Sequence, residues 1–191
     1  ASATAARNYL LVGDRVGVVP VRSVEIISTG TSSSGGGGPS GSGRTGAVLI
    51  DGSDRDEHGA RTSTGNVGGW KLIEQMVRFA YAGASNAGAG ILVVGASGRA
   101  LSAINSVASA LGLSTTVVSG SQVPAVQLEN FRVIYVPSDA ANVPGGVSDT
   151  DLSLLEQRRA DIVSFVNSGG SLVALSESEA AAPYRWLGRP P

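Results

Sequence analysis

From Ala47 onward, short wholly apolar runs alternate with stretches whose apolar residues recur at helical spacing, and that alternation leaves few folds open. "AVLID" and "GILVVGAS" read as buried strands, "STTVVSG" as a short third strand, and "FRVIYVPSD" and "SLVALSE" as the fourth and fifth. A strand without polar alternation is covered on both faces, as in a parallel sheet sandwiched between helices. "GWKLIEQMVRFAYAG" places Trp70, Ile73, Val77, Ala80 and Tyr81 on one helical face, and "ALSAINSVASALGL" does the same with Leu101, Ile104, Val107, Ala108 and Leu111. "SDTDLSLLEQRRADIVSFVNSGG" reads as one long helix. Ser148 caps it, Asp149 and Asp151 favour the positive end of its dipole, and Gly169-Gly170 stops it. The expected fold class is α/β: a doubly wound, mostly parallel five-stranded sheet, flavodoxin-like, with a short N-terminal β segment.

The preceding residues follow a different pattern. "YLLVGDRVGVVPVRSVEII", Tyr9 to Ile27, alternates β-branched and polar residues around Gly13-Asp14 and reads as two or three short strands, lying apart or adding to an edge. Pro20 argues against a central position. A Gly/Ser tract follows that cannot bury apolar surface. The expected organisation is therefore an N-terminal β segment over 1–28, a Gly/Ser-rich linker or loop over 29–46, and an α/β domain over 47–191. Much of the glycine in the chain (27 residues) lies in that tract, so its abundance does not signal phosphate-binding loops.

Composition narrows the function classes. Lys+Arg 14 against Asp+Glu 15 leaves a net charge of -1, and no overall field draws the chain to nucleic acid or an anionic membrane. No apolar run approaches the ~18 residues of a membrane span. The absence of cysteine (Cys 0) excludes disulfides, thiolate metal ligation and a cysteine nucleophile. The opening "ASATAARNYL" has no initiator Met and carries the small residues that surround A-x-A cleavage sites, so an extracellular or cell-surface location is expected.

Doubly wound folds gather functional groups at the carboxyl ends of their strands. Asp51 ends the first strand, Ser97 follows the second, Ser138-Asp139 the fourth and Ser176-Glu177 the fifth. Immediately after the first strand, "IDGSDRDEHG" brings together Asp51, Asp54, Asp56, Glu57 and His58, the single histidine of the chain. Carboxylates at such spacing on an irregular loop can converge on Ca²⁺ or Mg²⁺, with His58 joining for a transition metal. The pattern lacks the glycine and distal glutamate of an EF-hand. Two other readings stand beside the metal site: a polar loop with capping and turn roles, neutralised by Arg55 and Arg61, and a contact with a neighbouring subunit or domain.

Two glycine-bearing turns need the same weighing. "TSTGNVGGW", Thr62 to Trp70, could hold an anion on backbone N–H groups before a helix, or use Asn66 as an N-cap or turn residue. "VVGASGRA", Val93 to Ala100, imitates a dinucleotide fingerprint without the full G-x-G-x-x-G, and reads as a tight strand-to-helix turn. Tyr184 and Trp186 in "PYRWLG" read as a hydrophobic clasp at the sheet edge.

The unit "FRVIYVPSD … LSLLEQRRADIVSFVNSGGSLVALSES" resembles the class I glutamine amidotransferase-like superfamily, and the resemblance runs from Ala47 to the C-terminus. It implies a strand, a small-residue loop, a helix, a Gly-Gly turn and a strand that delivers a nucleophile elbow. The elbow of that family reads G-x-C-x-G; the matching stretch here is Ala174-Leu175-Ser176-Glu177-Ser178. Ser176 takes the place of the cysteine and is the candidate nucleophile. Both flanking glycines are replaced, and no histidine follows Ser176 to match the family's later catalytic His. The resemblance thus implies a scaffold kept without amidotransferase chemistry. The expected function is a non-catalytic structural or interaction module of an exported or surface assembly. Its partners would be proteins, including copies of itself, with no nucleic acid, no membrane span and no cofactor. The alternative is a metal-dependent hydrolase, using Ca²⁺ or Mg²⁺, or a small-molecule-binding domain, built on the Asp51–His58 loop.

Overall fold

The computed structural model describes residues 9–12, 45–175 and 185–187. In chain order the elements are β1 (Tyr9–Val12), β2 (Val48–Asp51), β3 (Gly59–Thr62), β4 (Gly65–Gly68), α1 (Gly69–Gly83) and β5 (Ile91–Val94). They continue with α2 (Gly98–Leu111), β6 (Thr115–Val118), β7 (Val133–Val136), α3 (Asp149–Gln157), α4 (Arg159–Asn167) and β8 (Ser171–Leu175). Six strands form one sheet in the order β1-β2-β8-β7-β5-β6. Every pairing in it is parallel. The five strands read from Ala47 onward are all present, and β1 extends the sheet beside β2 at one edge. The other strands read before Ile27, and the Gly/Ser tract up to residue 44, lie outside the described residues.

The apolar character of the central strands follows from double coverage. β5, β7 and β8 are buried along their whole length. On one face Leu49, Val93, Tyr135 and Val173 pack with Trp70, Ile73 and Val77 of α1 and Ala100, Ile104 and Val107 of α2. On the other, Leu92, Ile134 and Leu172 pack with Leu155 of α3, Ile162 and Phe165 of α4, and Trp186. The sheet is therefore doubly wound, in the manner of flavodoxin-like folds. Trp186, 2 % exposed, belongs to the α3/α4 layer; Tyr184 lies outside the described residues.

Three local expectations are corrected. Residues 59–68 form an antiparallel hairpin, β3–β4, rather than loop alone. Within it Asn66 neither caps a helix nor makes a turn. Its Nδ2 donates to Glu74 Oε2 at 3.0 Å and its Oδ1 accepts from Ser106 Oγ at 2.6 Å, tying the hairpin to α1 and α2. The long helix after Ser148 is two, divided at Arg158. The guanidinium of Arg158 donates to the carbonyls of Val123 and Val126, at 3.0 and 2.6 Å, and to Asp161 at 2.9 Å. These tertiary acceptors fix the residue where the helix bends. Ser148 does cap α3, accepting from Asp151 N at 3.1 Å.

Candidate functional site

The chain reverses direction across the sheet between β5 and β7. β5 leads through α2 to β6 on one side, and β7 leads through α3 and α4 to β8 on the other. The crevice outside the carboxyl ends of such a pair of strands is where open α/β sheets bind ligands. Here the chain fills that crevice itself. Residues 139–147 fold back, with Val147 N donating to Ser138 O at 2.8 Å. The carbonyl of Pro144 then accepts from Arg99 N and Ala100 N in the first turn of α2, at 2.9 and 3.3 Å, and Gly145 O accepts from Ser97 N at 2.7 Å. Three of the donors that a phosphate would use, the N–H groups of Ser97, Arg99 and Ala100, are thus already bonded. Close approach requires glycine: a Cβ on Gly145 (φ 82°) would lie 2.3 Å from the Ser97 carbonyl oxygen. The "VVGASGRA" segment is a tight turn, as its incomplete fingerprint suggested.

The acidic cluster divides into a buried half and an exposed half. Asp51 and Asp56 are fully buried, whereas Asp54 and His58 form a surface pair at 3.1 Å, with the His58 side chain 72 % exposed. Asp51 Oδ1 accepts from Ser53 Oγ at 2.8 Å and Oδ2 from Arg55 Nε at 3.1 Å. Asp56 reaches across to β7, its Oδ1 accepting from Ser138 Oγ at 2.7 Å and its Oδ2 from Ser138 N at 3.0 Å. Burial raises the pKa of Asp56 above the ordinary carboxylate value, and the two bonds from Ser138 work against that rise. Glu57 lies beside Arg99, Oε2 to Nε 3.7 Å. No group of three His, Asp or Glu side chains among the described residues is arranged to hold a metal ion.

The same loop is held from outside by two side chains absent from the sequence reading of the site. Trp70 Nε1 donates to the Asp56 carbonyl at 2.8 Å. Arg99 donates to the carbonyls of Glu57 and Gly59, at 2.7 and 2.6 Å, and its guanidinium stands 5.1 Å from the centre of the Trp70 ring. Gly59 lies under that indole, and a Cβ there would come within 2.3 Å of the ring. The N–H of Gly69, at the start of α1, donates to His58 O at 2.6 Å. That donor of the "TSTGNVGGW" segment thus serves the loop. On the far side of β5, Asp151 accepts from Gly120 N at 2.6 Å and from Ser148 Oγ at 2.7 Å.

No protein-family model, curated protein or solved structure gives a significant match to this chain. Ser176 and Glu177, expected from the sequence at the end of the fifth strand, lie outside the described residues. An open groove of about 590 Å³ lies at the opposite, amino-terminal end of the strands, where Asn86, Gln127 and Glu129 face Asp161, Ser164 and Ser168 of the α4 region. No helix among the described residues is long and apolar enough to cross a membrane.

Proposed function

We propose that this chain is a non-catalytic structural or interaction module of an exported or surface assembly, built on a scaffold like that of the class I glutamine amidotransferases. The observation that carries this reading is the self-filled crevice between β5 and β7, with the Pro144 and Gly145 carbonyls on the first donors of α2. A catalytic rim keeps donors and charges available for a substrate. In this rim the buried carboxylates accept from Ser53, Arg55 and Ser138 and so hold the loop closed. The acidic loop then serves shape, and the His58 imidazole at its surface, paired with Asp54, is where a partner protein would meet it. The near-neutral chain (net charge -1) favours packing against copies of itself without strong repulsion.

Mass measurement by light scattering, on recombinant chain and on material from the native source, tests the proposal. Assembly with itself or with another protein is expected. A free monomer in both preparations, or a glutaminase or esterase turnover abolished by Ser176→Ala, would overturn it. The groove supports one rival, a small-molecule-binding domain, because its volume falls within the ~300–1,000 Å³ of ligand pockets. A metabolite that copurifies and is lost on Ser164→Trp would favour that rival. A metal-dependent hydrolase predicts instead that Ca²⁺ or Mg²⁺ supports turnover which Asp54→Ala or His58→Ala abolishes.

A further inference from the structure

At the edge of the sheet away from β1, β6 has β5 on one side and no strand on the other among the described residues. Its bonds to β5 use alternate residues: Ile91 N donates to Ser114 O at 2.9 Å and Gly95 N to Val118 O at 2.8 Å. In the parallel register that sets Ile91 beside Thr115, the backbone groups of Ser114, Thr116 and Val118 therefore face β5. Those of Thr115 and Val117 face outward, so the N–H and carbonyl of each line the open edge. Thr116 and Val117 are exposed, Val117 by 37 %. Native edges of this kind are commonly blunted by charge, by proline or by a bulge. β6, "TTVV", pairs in unbroken register, carries neither charge nor proline, and consists of residues that favour extended pairing.

The electrostatics around this edge select its occupant. Arg99 is the single charged residue between Phe79 and Leu128, a segment that takes in β5, α2 and β6. Its guanidinium is turned to the carbonyls of Glu57 and Gly59. The exposed residues of α2 and its surroundings, among them Ser102, Asn105 and Ser109, are neutral. A two-fold contact sets a surface against itself, so a charged edge would repel its copy and a neutral one does not. We infer that β6 pairs antiparallel with β6 of a second copy, across a two-fold axis at Thr116, so that the two sheets become one. This arrangement rests on the reading of the chain as a module that packs against copies of itself. With the axis at Thr116, Thr115 stands opposite Val117 of the second copy, and every outward N–H and carbonyl of these two residues is bonded. Thr116 then faces its own counterpart in the non-hydrogen-bonded position between the two pairs. An axis at Val117 would instead set Thr115 against Ser119, whose N–H already donates to Gln122 Oε1 at 3.4 Å.

The chain has no cysteine, so Thr116→Cys introduces a single reporter at the axis. Opposed residues in a non-hydrogen-bonded position lie about 4.5 Å apart at Cα, within the ~4.4–6.8 Å that a disulfide spans. Mild oxidation of the full chain is expected to yield a covalent dimer of Thr116→Cys on non-reducing electrophoresis, and far less of Gln75→Cys, an exposed control on α1. Equal yields from the two, or no dimer of Thr116→Cys, would overturn the pairing. Thr116→Lys sets two ammonium groups face to face, and is expected to raise the dimer dissociation constant at least about tenfold in sedimentation at low salt. Because Thr116 is exposed, the far-UV circular dichroism of the variant should match that of the parent. A parent that assembles while Thr116→Lys keeps the same mass refutes the β6 contact and leaves the assembly reading standing. A monomeric recombinant parent refutes the contact as well, and the assembly reading falls with it when material from the native source is also monomeric.

Discussion

Replacing Trp70 by Phe keeps a ring at the start of α1 while removing the indole N–H, and so asks what closes the acidic loop over the sheet. The structure gives three losses. The bond to the Asp56 carbonyl, 2.8 Å long, disappears and leaves an acceptor in a buried residue without that donor, a cost of about 1–3 kcal/mol. Contact with Arg99, now 5.1 Å from the ring centre, weakens; at a half-exposed arginine such contacts contribute about 0.5–1 kcal/mol. The smaller ring leaves roughly 40 Å² of apolar surface unburied, which at ~25 cal/mol/Å² is about 1 kcal/mol. Together these destabilise the chain by about 2.5–5 kcal/mol. The assay is urea unfolding followed by far-UV circular dichroism, where a slope near ~2 kcal/mol/M turns this into a midpoint shift of about 1–2.5 M. A double-mutant cycle with Arg99→Met isolates the ring contact, with an expected coupling of about 0.5–1 kcal/mol. A loss below about 1 kcal/mol without coupling would mean that the loop is not held by the indole at all.

Gly46→Ala would place a Cβ 1.8 Å from the carbonyl oxygen of Gly170, a backbone atom that cannot rotate away. A loss of about 3 kcal/mol or more is expected in the same titration, and a loss under about 1 kcal/mol would show that the β2–β8 junction yields easily. Glu74 is held below the ordinary carboxylate value of 4.5 by its bond from Lys71 first, with Asn66 and Arg78 adding to it against burial. A depressed carboxylate stabilises the fold above its unfolded value, and that contribution disappears as pH falls through the folded value. Stability profiles of parent and Glu74→Gln should therefore converge below pH 4.5; parallel profiles would contradict this. Asp56 has the opposite sign, because burial raises it above 3.8 and its ionisation opposes folding. The advantage of the parent over Asp56→Asn should be fully present below pH 3.8 and shrink as pH rises through the folded value, and an advantage that grows with pH would refute the assignment.

How much of this was legible in the sequence depends on which interactions are local. The strands and the bounds of α1 could be read because burial on two faces writes itself into continuous apolar runs, and burial on one face into helical spacing. The β3–β4 hairpin could not, since "GART" and "GNVG" are mostly exposed and carry little β-forming chemistry. The division at Arg158 escaped because its cause is a pair of carbonyls about thirty residues earlier. At the rim, residue types identified Asp51 and Asp56 as charges near strand ends. Only the tertiary fold separates them from Asp54 and His58, their neighbours in the chain, by burial. Arg99 and Trp70 looked like ordinary helix residues.

The crevice between β5 and β7 is closed by two peptide carbonyls, those of Pro144 and Gly145, rather than by a side chain. A point mutation changes side chains and leaves carbonyls in place, so scanning mutagenesis through this loop would perturb stability without ever unmasking the helix terminus behind it. Shortening the chain between Ala140 and Gly146 is the change that would free those amides together. A lineage carrying this plug could therefore regain an anion site through one small deletion, whereas gradual substitution would leave it shut. For an engineer the same asymmetry is useful: the socket is preformed, and its stopper can be cut out as a unit.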